Sequence, residues 1–309
     1  MQELVVISGK GGTGKTSLLA AFASIARKKA ICDADVDAAD LHLVLDPRVR
    51  ERYDFRSGHT AVIDPDACSE CGLCREVCRF GAIGPDFRVD ALSCEGCGVC
   101  YYLCPEKAIA FPENHCGEWY ISDTRMGPMV HARLGIAEEN SGKLVTLVRQ
   151  QGKALAQKKG LDLLLTDGPP GVGCPVIASL GGASAVLIIA EPSVSGAHDM
   201  ERVARLAAGF NIPAMVCINK FDLNPDQARS IERFAMKNDI SATGRIPFDP
   251  AFTRAMVEEK TLFEYDGSCV SAGAVRKVWE KVTRRLATLR TPSAQQNNEA
   301  SFHERTHQL

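Results

Sequence analysis

Eight of the thirteen cysteines in this chain fall into two runs, Cys68, Cys71, Cys74 and Cys78, then Cys94, Cys97, Cys100 and Cys104. Both runs have the spacing C-x2-C-x2-C-x3-C, and Pro105 follows the second directly. Thiolates so spaced wrap three corners of an iron–sulfur cubane and send the fourth thiolate to a neighbouring cluster. Gly72 recurs as Gly98, and Ile83 as Ile109, at the offset that carries Cys68 onto Cys94. The runs are therefore copies beyond their cysteines and read as two facing half-modules. Two other readings of grouped thiols stand beside this one. Zinc favours two cysteine pairs joined by a longer loop, and disulfides need an oxidising compartment.

The paired runs resemble a bacterial two-cluster [4Fe-4S] ferredoxin. The resemblance implies one cluster on Cys68, Cys71, Cys74 and Cys104 and another on Cys94, Cys97, Cys100 and Cys78, the fourth cysteine of each run crossing over. Arg79 follows Cys78 where the pattern has proline. The ligand set survives this departure; the turn beside the second cluster, and with it that cluster's potential, is where the sequence differs.

A second chemistry is written into Gly9-Lys10-Gly11-Gly12-Thr13-Gly14-Lys15-Thr16, which fits G-x4-G-K-[ST]. It lies between an apolar run at 4–7, as in a buried strand, and an alanine-rich helical stretch at 17–26, the context the motif requires. Glycines there let backbone N–H groups cradle phosphate, and the helix N-terminus at Ser17 adds partial positive charge. Lys15 is placed to hold the β and γ phosphates of ATP and Thr16 to ligate Mg2+. The alternative is an ordinary strand-to-helix turn. Lys10 makes the loop resemble the deviant Walker A motif of the MinD, ParA and Mrp ATPases. In that family the early lysine reaches the phosphates of a facing subunit, so the resemblance implies a homodimer, or a heterodimer with a paralogue, closed around two nucleotides; otherwise Lys10 merely points to solvent.

Acidic residues complete the expected site. Asp33 and Asp35 share a strand face by the two-residue period and are aimed at the end of the sheet where the loop lies. By resemblance Asp35 positions the attacking water and Asp33 supports Mg2+ through solvent. An apolar strand at 161–166 ends in Asp167-Gly168-Pro169-Pro170-Gly171, matching a Walker B strand with Asp167 on Mg2+. The Asp-x-Pro-Pro-Gly form resembles switch II of the same family, with the Gly171 N–H as a γ-phosphate sensor. Asn219, at the end of a strand at 214–218, is implied to pair with adenine, and the stretch 245–249 around Pro247 to flank the base. Ser141 and Lys143 read as a cap and an exposed lysine ahead of a helix at 144–158, with a second phosphate contact as the less ordinary option. Cys174, seven residues past Asp167, stands where the nitrogenase iron protein holds a ligand shared between subunits. With Cys116 it is a candidate interface ligand; the ordinary alternative is a buried unligated thiol.

These residues need a scaffold, and a chain of 309 residues, 45% hydrophobic, can bury one large core or two modest ones. The expected fold is α/β: a doubly wound, mostly parallel sheet interrupted after its second strand by an α+β ferredoxin-like insert. The expected division is an ATPase part at 1–58, the insert at 59–113, the second ATPase part at 114–290 and a disordered tail at 291–309. The stretch 46–59 reads as polar and irregular, 60–64 and 108–111 as the outer strands of the insert, and 117–142 as rich in glycine and polar residues, with short strands near 119–122 and 130–134. A last helix keeps Val275, Val278, Trp279, Val282, Leu286 and Leu289 on one face, with Lys277, Lys281, Arg284 and Arg285 on the other.

A net charge of −2 argues against a general nucleic-acid surface, and neither a leader segment nor a membrane-length apolar run is evident, so a reducing cytoplasm is expected. The whole resembles MinD-superfamily ATPases carrying a ferredoxin insert. That implies ATP hydrolysis coupled to electron transfer, through two [4Fe-4S] clusters, to an unidentified redox partner. Two alternatives are an iron–sulfur carrier of Mrp type and a spatial organiser of MinD/ParA type.

Overall fold

The computed structural model describes residues 1–135 and 141–290. β1 (Gln2–Ser8) is buried along its whole length, as a continuous apolar run requires when helices cover both sheet faces. It is followed by α1 (Lys15–Ile25), β2 (Lys29–Asp33), α2 (Leu41–Leu45) and β3 (Arg48–His59). The small module then contributes β4 (Val62–Ile63), α3 (Leu73–Glu76), α4 (Val99–Leu103) and β5 (Ile109–Ala110). β6 (Glu113–Thr124), β7 (Gly127–Leu134), α5 (Ser141–Lys158), β8 (Leu163–Pro170), α6 (Cys174–Leu180) and β9 (Ala185–Ala190) return the chain to the main sheet. The remainder is α7 (Val194–Gly209), β10 (Ala214–Asn219), a 3-10 turn Phe221–Leu223, α8 (Pro225–Lys237), β11 (Ser241–Ile246), α9 (Pro250–Val257), α10 (Leu262–Asp266) and α11 (Val270–Arg290).

The main sheet has the order β11-β10-β9-β1-β8-β2-β7-β6-β3. Every pairing from β11 to β7 is parallel, and β6 runs antiparallel to both β7 and β3. The chain leaves central β1 through the glycine loop, at the point where strand order reverses, which is where an open parallel sheet offers a crevice to ligands. Alternation along β1 divides the core. Leu4 and Val6 join α1, α2 and α11 on one face, whereas Val5 and Ile7 join α6, α7 and α8 on the other. A third cluster packs α5 on Phe55, Trp119 and Val130 of the β3–β6–β7 extension. The expected stripe of α11 is buried at Val275, Val278, Trp279, Val282 and Leu286, partly so at Leu289, and Trp279 stacks on Phe22 at 5.2 Å.

The stretch expected to be irregular, 46–59, is corrected by the structure: Arg48–His59 is a twelve-residue edge strand. Only Phe55 and Ser57 on it are buried, so the strand carries no apolar period; its backbone is satisfied by pairing with β6 across the sheet. The interruption accordingly lies between β3 and β6, not directly after the second strand. The short strands expected near 119–122 and 130–134 are the middles of the long hairpin β6–β7. Within 59–113, β4 and β5 pair as a separate antiparallel ribbon. The expected disordered tail at 291–309 lies outside the described residues. No helix among the described residues is long and apolar enough to cross a membrane.

Candidate nucleotide site and cysteine module

The glycine loop is shaped by local backbone demands. Gly12 (φ 78°) and Gly14 (φ 88°) are in the left-handed region, which side chains disfavour. Gly14 also has a packing reason: a Cβ there would lie 2.5 Å from Asn219 Nδ2. Its absence lets the Asn219 amide donate to Thr13 O at 2.7 Å, tying the end of β10 to the loop. That bond fixes the amide orientation and leaves Asn219 Oδ1 buried without a partner, in a residue that lines the cavity beside the loop.

Lys15 is the cation of a buried acidic cluster. Its Nζ lies 2.7 Å from Asp167 Oδ1 and 3.2 Å from Asp35 Oδ2, and Thr16 Oγ1 donates to Asp167 Oδ2 at 2.7 Å. Burial by itself would lower the Lys15 ammonium, but Asp167, Asp35 and Asp33 together outweigh it and raise its pKa. Asp33 is pushed well above the ordinary carboxylate range by burial and then by Asp167, against the pull of Lys15. Asp35 is raised too, by burial first, and Asp37 by burial. Asp33 Oδ1 accepts from the Asp35 N–H at 3.2 Å, while Asp33 Oδ2, Asp35 Oδ1 and Thr13 Oγ1 are buried without partners. Two unpaired buried carboxylate oxygens, together with Asp167 and the Thr16 hydroxyl bonded to it, are a hard-oxygen donor set, which fits Mg2+.

The cavity is lined by residues 11–17, Asp35, Asn219 and Pro247, together with Pro170 of the segment expected to act as switch II. Three residues expected at the nucleotide are engaged elsewhere. Lys10 Nζ pairs with Glu191 Oε2 at 2.9 Å and reaches Ser193 and Ser195 hydroxyls at 3.3 and 3.4 Å. The Gly171 N–H donates to Ser8 O at 2.9 Å. At Gly9 an added Cβ would meet Asp199 Cβ at 2.3 Å, so this glycine allows α7 to pack on the loop.

Sequence reasoning missed the wall supplied by α9. Phe252, Thr253 and Met256 line the cavity, and Ser17 Oγ meets Met256 Sδ at 3.0 Å. Phe252 and Met256 are four apart on one helix face, and Asp249 caps that helix through the Ala251 N–H; those were the available signals. Lys220 was missed as well; it bonds Gly12 O at 3.0 Å and Glu191 at 3.3 Å. Lys143 is exposed, as expected, and its ammonium also donates to Ser57 Oγ at 3.2 Å, and Ser141 opens α5.

The cysteine module keeps its duplication in the backbone. Positive φ recurs in equivalent pairs, Glu70 with Gly96, Gly72 with Gly98, and Gly81 with Lys107. The pairing also crosses between copies. Ile63 pairs with Ile109, and their counterparts, Val89 and Ile83, bridge each other. Likewise Asp64 N–H donates to Ala108 O at 2.8 Å while Asp90 N–H donates to Ala82 O at 2.7 Å. Two small cavities of nearly equal size result. One is lined by Cys68, Cys71, Cys74 and Cys104, the other by Cys94, Cys97, Cys100 and Cys78. The last cysteine of each run accepts an N–H bond on sulfur at 3.4 Å, from Ala82 to Cys78 and from Ala108 to Cys104. Burial, then the neighbouring thiolates, raises the Cys74 and Cys100 thiols. Four soft donors around each of two small cavities fit an iron–sulfur cubane. The Arg79 departure leaves the turn unchanged: Gly81 N–H bonds Cys78 O at 3.2 Å just as Lys107 N–H bonds Cys104 O at 3.3 Å. Position i+1 of such a turn favours proline without requiring it.

The two remaining cysteines of interest have different surroundings. Cys174 is exposed at the start of α6. Cys116 is buried in β6, its thiol donating to Ser57 O at 3.0 Å.

Comparison with known proteins adds to this geometry. The family model described as the CobQ/CobB/MinD/ParA nucleotide binding domain matches residues 4–262. An uncharacterized protein of Methanocaldococcus jannaschii, MJ0578, is 33% identical over 228 residues, covering 72% of this chain and 80% of its own length. Among solved structures, that of the MinC:MinD cell division protein complex of Aquifex aeolicus aligns with a TM-score of 0.56 at 16% identity, over 92% of this chain and 96% of that one. The septum site-determining protein MinD of Pyrococcus horikoshii OT3, complexed with Mg-ADP, aligns with a TM-score of 0.54 at 18% identity, over 93% and 98%. At these identities the structures show a shared fold.

Proposed function

This chain belongs to the CobQ/CobB/MinD/ParA nucleotide-binding family, and on that footing we propose that it is a P-loop ATPase of the MinD/ParA type whose 59–113 module holds two [4Fe-4S] clusters with redox chemistry coupled to ATP turnover. The observation that carries the cluster reading is the crossed set of four cysteines around each cavity. Cys68, Cys71, Cys74 and Cys104 would hold one cluster and Cys94, Cys97, Cys100 and Cys78 the other. Bound there, the clusters supply one-electron storage.

In the nucleotide site Lys15 would hold the β and γ phosphates, and Thr16, Asp167 and, through solvent, Asp33 would hold Mg2+, which would neutralise the phosphate charge. Asp35 positions water, and Asn219 Oδ1, its donor already committed to Thr13, accepts from the adenine amino group. Lys10 exchanges Glu191 for the phosphates of a facing subunit, either an identical copy or a paralogue. Coupling to the module has a route within one subunit. α6 follows the Pro170–Gly171 segment, and Arg149 of α5 donates to Ala178 O at 2.6 Å and Gly181 O at 2.9 Å at the far end of α6. At the start of α5, Lys143 holds Ser57 on β3, one arm of the module.

Anaerobic purification with iron and sulfide counting, followed by acceptor reduction with and without MgATP, tests both halves. Iron near two cubanes per chain and acceptor reduction that requires ATP hydrolysis are expected; iron-free protein after reconstitution sinks the cluster reading, and nucleotide-indifferent electron transfer sinks the coupling. One observation favours a second reading, a positioning ATPase: Lys277, Lys281, Arg284 and Arg285 form an exposed basic stripe on α11. DNA binding by the ATP-bound protein that is lost when the stripe is neutralised would support that reading.

A further inference from the structure

The two copies in the cysteine module differ where they meet solvent. On α4 of the second copy, Val99, Tyr102 and Leu103 occupy one face by their three- and four-residue spacing and are 40%, 79% and 50% exposed. The equivalent positions of the first copy are Leu73, Glu76 and Val77; Glu76 is charged, and Leu73 and Val77 are half-buried. Large exposed apolar side chains grouped on one side of a duplicated module mark a contact surface, since folding gains nothing from leaving them in water.

That surface is wired to one cavity by ring contacts. Phe111 lines the cavity of Cys78, Cys94, Cys97 and Cys100. Tyr101 stacks on Phe111 at 5.6 Å and meets Tyr102 edge-on at 5.1 Å. In the first copy, the ring at the cavity, Phe87, carries the Arg75 guanidinium 5.8 Å above it. Charge then selects the occupant. Residues 59–113 hold nine acidic side chains against four basic ones, with Glu95 and Glu106 exposed at either end of α4. A second copy of the same module would meet this surface with like charge, whereas a cationic rim would be steered onto it.

We propose that the α4 face of the second copy is the docking surface for a one-electron carrier protein whose redox centre lies under an apolar face ringed by Lys and Arg. The proposal rests on the cluster reading above. What crosses the interface is a single electron: the chain is left one electron oxidised and the partner one electron reduced, with no bond made and no proton moved. Tyr102 and Leu103 anchor the contact, and Glu95 and Glu106 orient it.

The full-length chain, isolated anaerobically and counted for iron, is titrated with oxidised cytochrome c, a carrier with a lysine-ringed apolar haem edge. Lysozyme, comparably basic and without a redox centre, is the control for charge alone. Tyr102→Ser combined with Leu103→Ser is expected to weaken cytochrome c binding about tenfold at unchanged iron content, as loss of central anchors does. Glu76→Ser with Val77→Ser, the same positions in the first copy, should weaken it only by the loss of one surface charge, to the extent that lysozyme binding falls as well, whereas the Tyr102/Leu103 pair should leave lysozyme binding unchanged. Equal losses from the two pairs, or undiminished binding by the Tyr102/Leu103 variant, overturn the proposal. So does sedimentation showing that the face joins two copies of this chain. Iron-free wild-type protein defeats the cluster reading instead, and the iron count separates that outcome from failure of the docking surface.

Discussion

Replacing Lys15 by Met is expected to destabilise the nucleotide-free protein by an amount that follows pH in a set way. The ammonium lies 2.7 Å from Asp167 and 3.2 Å from Asp35, with Asp33 also acting on it, and all four groups are buried. Removing one partner of a buried pair costs roughly 3–5 kcal/mol. A ceiling applies, because a carboxyl can bind a proton in place of its lost partner. Protonating an aspartate of ordinary pKa about 3.9 costs about 4 kcal/mol at pH 7 and about 1.5 kcal/mol at pH 5. The folded variant then holds one proton more than its own unfolded chain, whereas Lys15 keeps its proton in both states of wild type. Stability relative to wild type therefore falls as pH rises, by about 1.4 kcal/mol per unit above pH 4. Urea unfolding of both proteins between about pH 5 and pH 7 measures this slope. Adding Asp33→Asn should recover most of the loss at neutral pH, since burial and Asp167 already drive Asp33 toward its neutral form. A deficit below about 1 kcal/mol at pH 7, or one that stays constant down to pH 5, would refute the reasoning.

Three further outcomes are expected. Cys78→Ser should remove the same cluster as Cys100→Ser and spare the one lost in Cys74→Ser, each change taking iron from about eight to about four atoms per chain; matching spectra for Cys78→Ser and Cys74→Ser would contradict the crossed cavities. Asn219→Leu deletes the bond to Thr13 O and the free acceptor beside it, so the Kd for ATP in calorimetry should rise about tenfold to a hundredfold, and an unchanged Kd would dissociate Asn219 from the nucleotide. His131 has its pKa lowered from 6.5 to about 4, chiefly by burial and then by His42. Because the folded form prefers neutral imidazole, its contribution is present above pH 6.5 and is lost as pH falls toward 4, a change on the order of 3 kcal/mol that His131→Gln should abolish in pH-dependent thermal unfolding.

Much of both sites was legible in the sequence because their chemistry is local. A phosphate cradle needs glycines with left-handed backbone a fixed few residues from a lysine, and Gly12, Gly14 and Lys15 satisfy that within one loop. A cubane corner needs thiols within reach of one another along the chain, so spacing alone grouped Cys68, Cys71 and Cys74, and Cys94, Cys97 and Cys100. The parallel strands β1, β8, β9 and β10 announced themselves as short apolar runs, since burial on both faces favours apolar residues between their polar ends. Only the tertiary structure decided the rest, and for one reason: these features depend on partners distant in the chain. β3 has its backbone bonds met by β6 and little apolar side-chain pattern to betray it. The engagement of Lys10 by Glu191, the closure of the cavity by Phe252 and Met256, and the fit of Asn219 into the space a Gly14 side chain would fill all join segments brought together by the sheet. Local geometry is encoded residue by residue, whereas a contact across the fold exists only once the core has chosen which surfaces meet.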